Sequence, residues 1–160
     1  MNLPDIRFIS KEQHELLFEL DHRHEALEEQ VMQNSFSNIK AALELGAEVV
    51  AAFDNKNLAG YGVISLEKNS GPVHIVELYV KSDYRMSGIA KSLFLSMLDR
   101  ASAAGADTIY ATVRPIDVII AFYRSQGFQE IETCQAHPDD PSENLVYLRK
   151  KIKRRSGFGF

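Results

Sequence analysis

Residues 84–94 read YRMSGIAKSLF. They stand between a β-branched run, VHIVELYV at 73–80, and the most regular amphipathic run in the chain, GIAKSLFLSMLDRASAAG at 88–105. In the second run Ile89, Leu93, Met97 and Ala101 fall every fourth residue. Ala90, Phe94 and Leu98 widen them into one apolar helical stripe, and Gly105 supplies the stop. TIYATV at 108–113 is strand-like again. Strand, helix and strand in this order form a crossover unit, so the two strands are expected to be parallel and the crossover right-handed.

The flanking segments extend this unit into an α/β (α+β) domain. DIRFI at 5–9 reads as a first strand. The segment 11–30 reads as a helix, with Ser10 as N-cap, Gln13 as its capping-box partner, and Leu16, Leu17, Leu20, Ala26 and Leu27 as its apolar face. FSNIKAALELG at 36–46 is a second helix ending on Gly46. AEVVAAF and LAGYGVISLE are strands joined by the turn DNKN at 54–57. IDVIIAFYRSQG at 116–127 is a short helix after Pro115, stopped by Gly127. FQEIETC and NLVYLRKKI close the chain as two strands around AHPDDPSE at 136–143. The expected fold is a mixed, mainly antiparallel sheet of six to seven strands flanked by helices, with one parallel pair. Residues 1–149 form one domain on this reading, and 150–160 form a basic, mobile C-terminal tail.

Composition narrows the function. The chain has 160 residues, 45% apolar and 25% charged, which suits one domain with a proper core. No apolar run approaches the roughly 18 residues of a membrane span. MNLPDIRFIS has no basic region followed by an apolar core, so no signal peptide is expected. Cys134 is the only cysteine, which suits a reducing cytoplasm and reads as a small apolar packing residue. A net charge of −4 argues against broad nucleic-acid binding.

The turn at 84–90 is the chemical signal. Gly88 permits both a tight turn and a close backbone approach to a ligand. The amides of Arg85, Met86, Ser87, Gly88, Ile89 and Ala90 would point out of a helix N-terminus without intrahelical acceptors. With the helix dipole and the Arg85 charge, this makes a phosphate or pyrophosphate site. The dinucleotide fingerprint fails because the segment holds one glycine, and the P-loop fails although Ala90, Lys91 and Ser92 echo its end. A plain strand-to-helix turn is the alternative.

ELYVKSDYRMSGIAKSLF resembles the acetyl-CoA signature of the GNAT acetyltransferases, a [QR]-x-x-G-x-[GA] motif after a strand ending in L-x-V. Leu78, Val80, Arg85, Gly88 and Ala90 match it. AFYRSQGF resembles the family's second motif through Phe122, Tyr123, Gly127 and Phe128. The order of elements matches along nearly the whole chain. Two positions depart: Ser82 stands where the family often has proline, and Ile116 where it often has the asparagine that holds the pantetheine end.

The resemblance implies an N-acetyltransferase that moves an acetyl group from acetyl-CoA, as cosubstrate, to a primary amine by direct attack. The parallel strands would splay at their C-terminal ends. Pantetheine would pair with the backbone of Leu78, Tyr79 and Val80, reach toward Ile116 and Tyr123, and leave its pyrophosphate on 85–90. Tyr123 matches the usual acid toward the leaving thiolate. His74 matches a catalytic glutamate of some members, and Glu77 is the second base candidate. Each of the three has a plainer reading as a packing or solvated residue. The resemblance also puts Glu25, Glu28 and Glu29 near a cationic acceptor.

The expected partner is a small-molecule or peptide amine, with no membrane, no metal and no nucleic acid. A homodimer is left open. The pairs His22/Glu25 and His24/Glu28 have ligand spacing but read as a solvated helix face. The basic cluster Lys150, Lys151, Lys153, Arg154 and Arg155 reads as a solvated end. A non-catalytic acyl-CoA sensor is the rival function, and a nucleic-acid-binding module acting through the basic tail is a weaker one.

Overall fold

The computed structural model describes residues 4–17, 36–66, 71–135 and 144–152. The chain forms a seven-stranded sheet of order β1-β2-β3-β4-β5-β7-β6. Its strands are β1 (Asp5–Ile9), β2 (Glu48–Asp54), β3 (Asn57–Leu66), β4 (Val73–Val80), β5 (Thr108–Val113), β6 (Gln129–Gln135) and β7 (Asn144–Lys151). Three helices are α1 (Phe36–Glu44), α2 (Ile89–Ala103) and α3 (Asp117–Ser125). Every strand pair is antiparallel except β4–β5, the pair joined through α2. The mixed sheet and its single parallel pair are as the crossover unit requires.

The sheet separates two cores. On one face α2 buries Ile89, Leu93, Phe94, Met97 and Ala101, the stripe read from the sequence, and α3 adds Tyr123. On the other face α1 and a 3-10 turn at Lys11–Leu17 cover Val49, Ala51, Phe53, Tyr61 and Val63. Adjacent β2 residues alternate between the two cores, Val50 and Ala52 facing α2. Arg100 near the end of α2 clasps Glu48 at the start of β2 through bonds of 2.8 and 2.9 Å.

Local signals hold at the element ends. Gly46, Gly105 and Gly127 all have positive φ after their helices. In each case the next amide reaches back five residues, as Phe128 N–H does to the Tyr123 carbonyl at 3.0 Å. Ser10 and Gln13 do interact: the Ser10 amide and hydroxyl both donate to Gln13 Oε1 at 3.2 Å. The element that follows differs from the helix expected over 11–30, because its described part, Lys11–Leu17, is 3-10. The remainder of that segment, with His22, His24 and the acids Glu25, Glu28 and Glu29, lies outside the described residues, as do the 136–143 connection and 153–160. At the other end the sheet runs two residues beyond the boundary expected at 149. Lys150 and Lys151 are in β7, and Ile152 is buried with its amide on the Asp107 carbonyl at 2.8 Å.

One strand is built to bend. Along β3–β4, Val63 opposes Glu77 but Ile64 opposes Ile75, so Val76 is an extra residue in β4. A bulge bends its strand and increases the twist. The parallel pairing of β4 with β5 covers Val73–Ile75 against Ile109–Ala111 and stops at that bulge. Beyond it β4 stays with β3 as far as Val80, while β5 stays with β7 as far as Val113. The two strands therefore part, and the parallel ladder between them ends at Ile75 and Ala111.

Gly60 lets β3 run close under the parted end of β4. It pairs with Val80, and a Cβ added there would lie 2.7 Å from the Tyr79 carbonyl oxygen and 3.1 Å from Val80 Cα. Both are backbone atoms, so relief requires β4 itself to move. Gly60→Ala is expected to cost about 1–3 kcal/mol, the usual range for overpacking. That corresponds to a fall in Tm of about 2–4 °C per kcal/mol for a chain of this size. Differential scanning calorimetry showing an unchanged Tm would remove this account of the glycine.

Candidate active site

The parted strands open into a groove of about 380 Å³. The end of β4 forms one wall with Leu78, Tyr79 and Val80. The loop after it and the first turn of α2 add Arg85, Met86, Gly88, Ile89 and Ala90, and α3 closes the other side with Tyr123. Nine of the eleven residues expected to hold the cofactor thus meet in one place. Ser87 and Ile116 do not line it. The Ser87 hydroxyl turns back to the Tyr84 carbonyl, and Ile116 is the N-cap residue of α3.

Six lining residues lay outside the expectation: Tyr84, Lys91, Val118, Ile119, Phe122 and Gln126. Tyr84 and Lys91 flank the motif directly. Val118, Ile119, Phe122 and Gln126 lie with Tyr123 at helical spacing, so the period of α3 carried their signal.

The cradle is made of backbone. Gly88 caps α2 with φ 84°, and no side chain caps the helix. The first intrahelical donor is Ser92, whose amide bonds the Gly88 carbonyl at 3.1 Å. The amides of Ile89, Ala90 and Lys91 come before it and open toward solvent. Met86 also has positive φ, 63°. With Gly88 this puts two left-handed residues within three positions of the loop. Lys91 brings a positive charge into the same turn.

Arg85 lines the groove, and its side chain also bonds the backbone of its own loop. Its Nε donates to the Val80 carbonyl at 2.9 Å, and its guanidinium lies 5.8 Å from the centre of the Tyr79 ring. It thus closes the last turn of backbone after β4 and holds the loop entrance.

The proton-handling candidates divide. Tyr123 is 1% exposed and lines the groove. Its ring packs edge-on against Phe122 at 5.5 Å and Phe128 at 5.1 Å. Glu77 is fully buried, and its Oε1 accepts the Leu78 amide at 3.2 Å. Its partner across the ladder, Val63, belongs to the α1 core, so Glu77 faces α1 beside the groove. His74 is exposed, sits in the paired part of β4–β5, and stacks on Tyr110 at 5.3 Å. The structure does not bring it to the groove.

Tyr61 gave no sequence signal. It stands across from Tyr79 with the ring centres 5.6 Å apart. Its hydroxyl is buried without a hydrogen-bond partner among the described residues. Burial, then the Glu77 and Tyr79 charges, push its phenol far above the usual value and keep it neutral.

No group of side chains suited to a metal is found among the described residues. No helix among them is long and apolar enough to cross a membrane.

Comparison with known proteins agrees with this geometry. No curated protein matches the sequence significantly. Among solved structures, the ribosomal-protein-S18-alanine N-acetyltransferase of Escherichia coli superposes with TM-score 0.74 at 16% identity, covering 99% of both chains. A GNAT family acetyltransferase from Elizabethkingia anophelis with acetyl-CoA bound gives 0.74 at 13%, covering 95% of this chain and 100% of that one. A Bacillus subtilis acetyltransferase in complex with CoA gives 0.72 at 21%, covering 94% and 99%. At these identities the likeness is one of fold. The sequence itself matches the family model for the acetyltransferase (GNAT) domain over residues 10–137, most of its length. This chain belongs to the GNAT acetyltransferase family.

Proposed function

We propose that this protein is an N-acetyltransferase that moves an acetyl group from acetyl-CoA to a primary amine within a ternary complex. The observation that carries this is the conjunction in one groove of a parted strand end, an uncapped helix N-terminus and a buried tyrosine. The groove suits acyl-CoA on three counts. The end of β4, where it has parted from β5, brings its backbone to the groove wall beside an amide-bearing arm. The amides of 86–91 with Lys91 suit a pyrophosphate. The apolar wall from Ile119 and Phe122 suits an alkyl chain. The cosubstrate supplies an activated acetyl group as a thioester.

The residues then divide the work. The amine nitrogen attacks the thioester carbon, the carbon–sulfur bond breaks, and the thiolate takes a proton. Tyr123 is assigned as the donor, since it is the fully buried tyrosine of the groove wall. An amine of lysine-like pKa, about 10.4, must lose a proton to attack. Glu77, the buried carboxylate next to the groove residue Leu78, is the proposed acceptor of that proton. The Leu78 amide is the candidate donor to the developing oxyanion, and Glu77 releases it on protonation. His74 has no place in this scheme.

The acceptor is a small-molecule or peptide amine, and a reducing cytoplasm suits the single cysteine. A panel of amines with acetyl-CoA, read by release of free thiol, tests the reading. Amine-dependent thiol release is the expected result. CoA binding without release for any amine would return the chain to the role of an acyl-CoA sensor.

A further inference from the structure

The loop that carries the cradle is fastened at its start to the β2–β3 hairpin. The Lys81 amide donates to the Ala59 carbonyl on β3 at 2.9 Å. The Tyr84 hydroxyl donates to Asp54 Oδ2 at 3.0 Å, across thirty residues of sequence. Asp54 is the last residue of β2, next to Asn55 with φ 56° at the hairpin turn. Tyr84 ends the 3-10 turn Ser82–Tyr84 and lines the groove. Its amide is held by the Lys81 carbonyl at 2.9 Å, and its own carbonyl takes the Ser87 hydroxyl. One residue is thus pinned at its tip by the hairpin and at its backbone by both sides of the loop. Immediately after it the chain passes through the two left-handed residues, Met86 and Gly88.

The charge of Asp54 runs against an anion site, since a carboxylate nearby repels phosphate. Its use there is as an acceptor. The bond from the phenol occupies the carboxylate and, with a smaller contribution from burial, raises the Tyr84 pKa, so the proton stays on the phenol.

We propose that Tyr84 and Asp54 are positioning residues for the cosubstrate phosphates: through the bond between them the hairpin holds residues 86–91 in the form that presents their amides. The inference rests on the reading of the groove as an acyl-CoA site. Neither side chain is asked to touch the phosphate.

Titration calorimetry with CoA on the wild type, Tyr84→Phe, Asp54→Ala, Asp54→Asn and the Tyr84→Phe/Asp54→Ala double variant tests it, with Tm measured on each. The expected loss of affinity is about three- to tenfold for Tyr84→Phe and for Asp54→Ala, in line with one partly exposed charge-assisted bond. The double variant should be no weaker than the worse single, because both remove the same bond. Asp54→Asn should stay close to wild type, since its amide oxygen still accepts the phenol proton. The acetyl-CoA KM should rise by the same factor as the dissociation constant. Wild-type affinity in Tyr84→Phe and Asp54→Ala, with or without a lower Tm, overturns the inference. So do additive losses, or tighter binding in both Asp54 variants, which would assign Asp54 a purely charge effect. A wild type that does not bind CoA overturns the acyl-CoA reading itself, and this inference with it.

Discussion

Tyr123→Phe is expected to lower kcat about 100-fold, with the KM for acetyl-CoA little changed. General acid catalysis contributes about 10²–10⁴. The lower end applies because a thiol of intrinsic pKa about 8.5 is already a fair leaving group. The substitution removes one oxygen and keeps a ring that Phe122 and Phe128 hold edge-on, so packing survives. The loss falls on kcat because the proton moves only in the transition state. Its pH dependence has a definite sign. As pH rises through about 8.5 the thiolate leaves without a proton, so the deficit shrinks. A pH–rate profile on a confirmed acceptor measures both. Wild-type kcat across that range would leave Tyr123 as a packing residue.

Gly88→Val is expected to weaken CoA binding by about 10- to 100-fold in a protein that still folds. Gly88 permits a close backbone approach to a ligand, and a branched side chain there would stand in the phosphate path. The structure adds a second cause, backbone strain. A Cβ built on Gly88 meets nothing within 4 Å, but φ there is 84°. The left-handed region costs an L-residue about 1–2 kcal/mol, and a β-branched residue there is an outlier. Relief comes by rotating the peptide planes at 87–89, which re-aims the amides of the cradle. α2 itself is retained, because its buried stripe from Ile89 to Ala101 is untouched. The two causes separate in a series. Asparagine visits the left-handed region readily, so strain ranks affinity as Gly, then Asn, then Ala, then Val. Obstruction would put Asn, the larger side chain, below Ala. Calorimetry with CoA on the three variants reads the order directly.

Much of the candidate site was legible because its signals are local. Gly88 announces a backbone conformation that few other residues adopt. The α2 stripe is one period repeated over four turns. Val118, Ile119, Phe122 and Gln126 were legible in principle from the period of α3 but were passed over for Tyr123 alone. The side-chain directions of Ser87 and Arg85 were not legible for one reason. Both side chains bond the backbone of their own loop, Ser87 to Tyr84 and Arg85 to Val80. Nothing in residue type distinguishes that from reaching outward to a ligand.

The sequence by itself determined the strands and the helices α1 to α3, where those helices stop and that 73–80 and 108–113 run parallel, and it raised the expectation of an anion cradle at the start of α2. Each follows from side-chain period or from a φ demand within a few residues. The tertiary structure alone decided where β4 leaves β5 and which face each of its residues takes. Val73 and Ile75 point to the α2 core, and so do Leu78 and Val80, so the alternation slips by one residue at Val76. Read with an unbroken period of two, Glu77 would share a face with Val73 and Ile75. The bulge puts it under α1, beside Tyr61, and ends the parallel pairing at the same point. Register belongs to the pair of strands and not to either one, because a single slip moves every later side chain to the other face. The link from Tyr84 to Asp54 joins residues thirty apart and exists only once the hairpin and the loop are folded side by side.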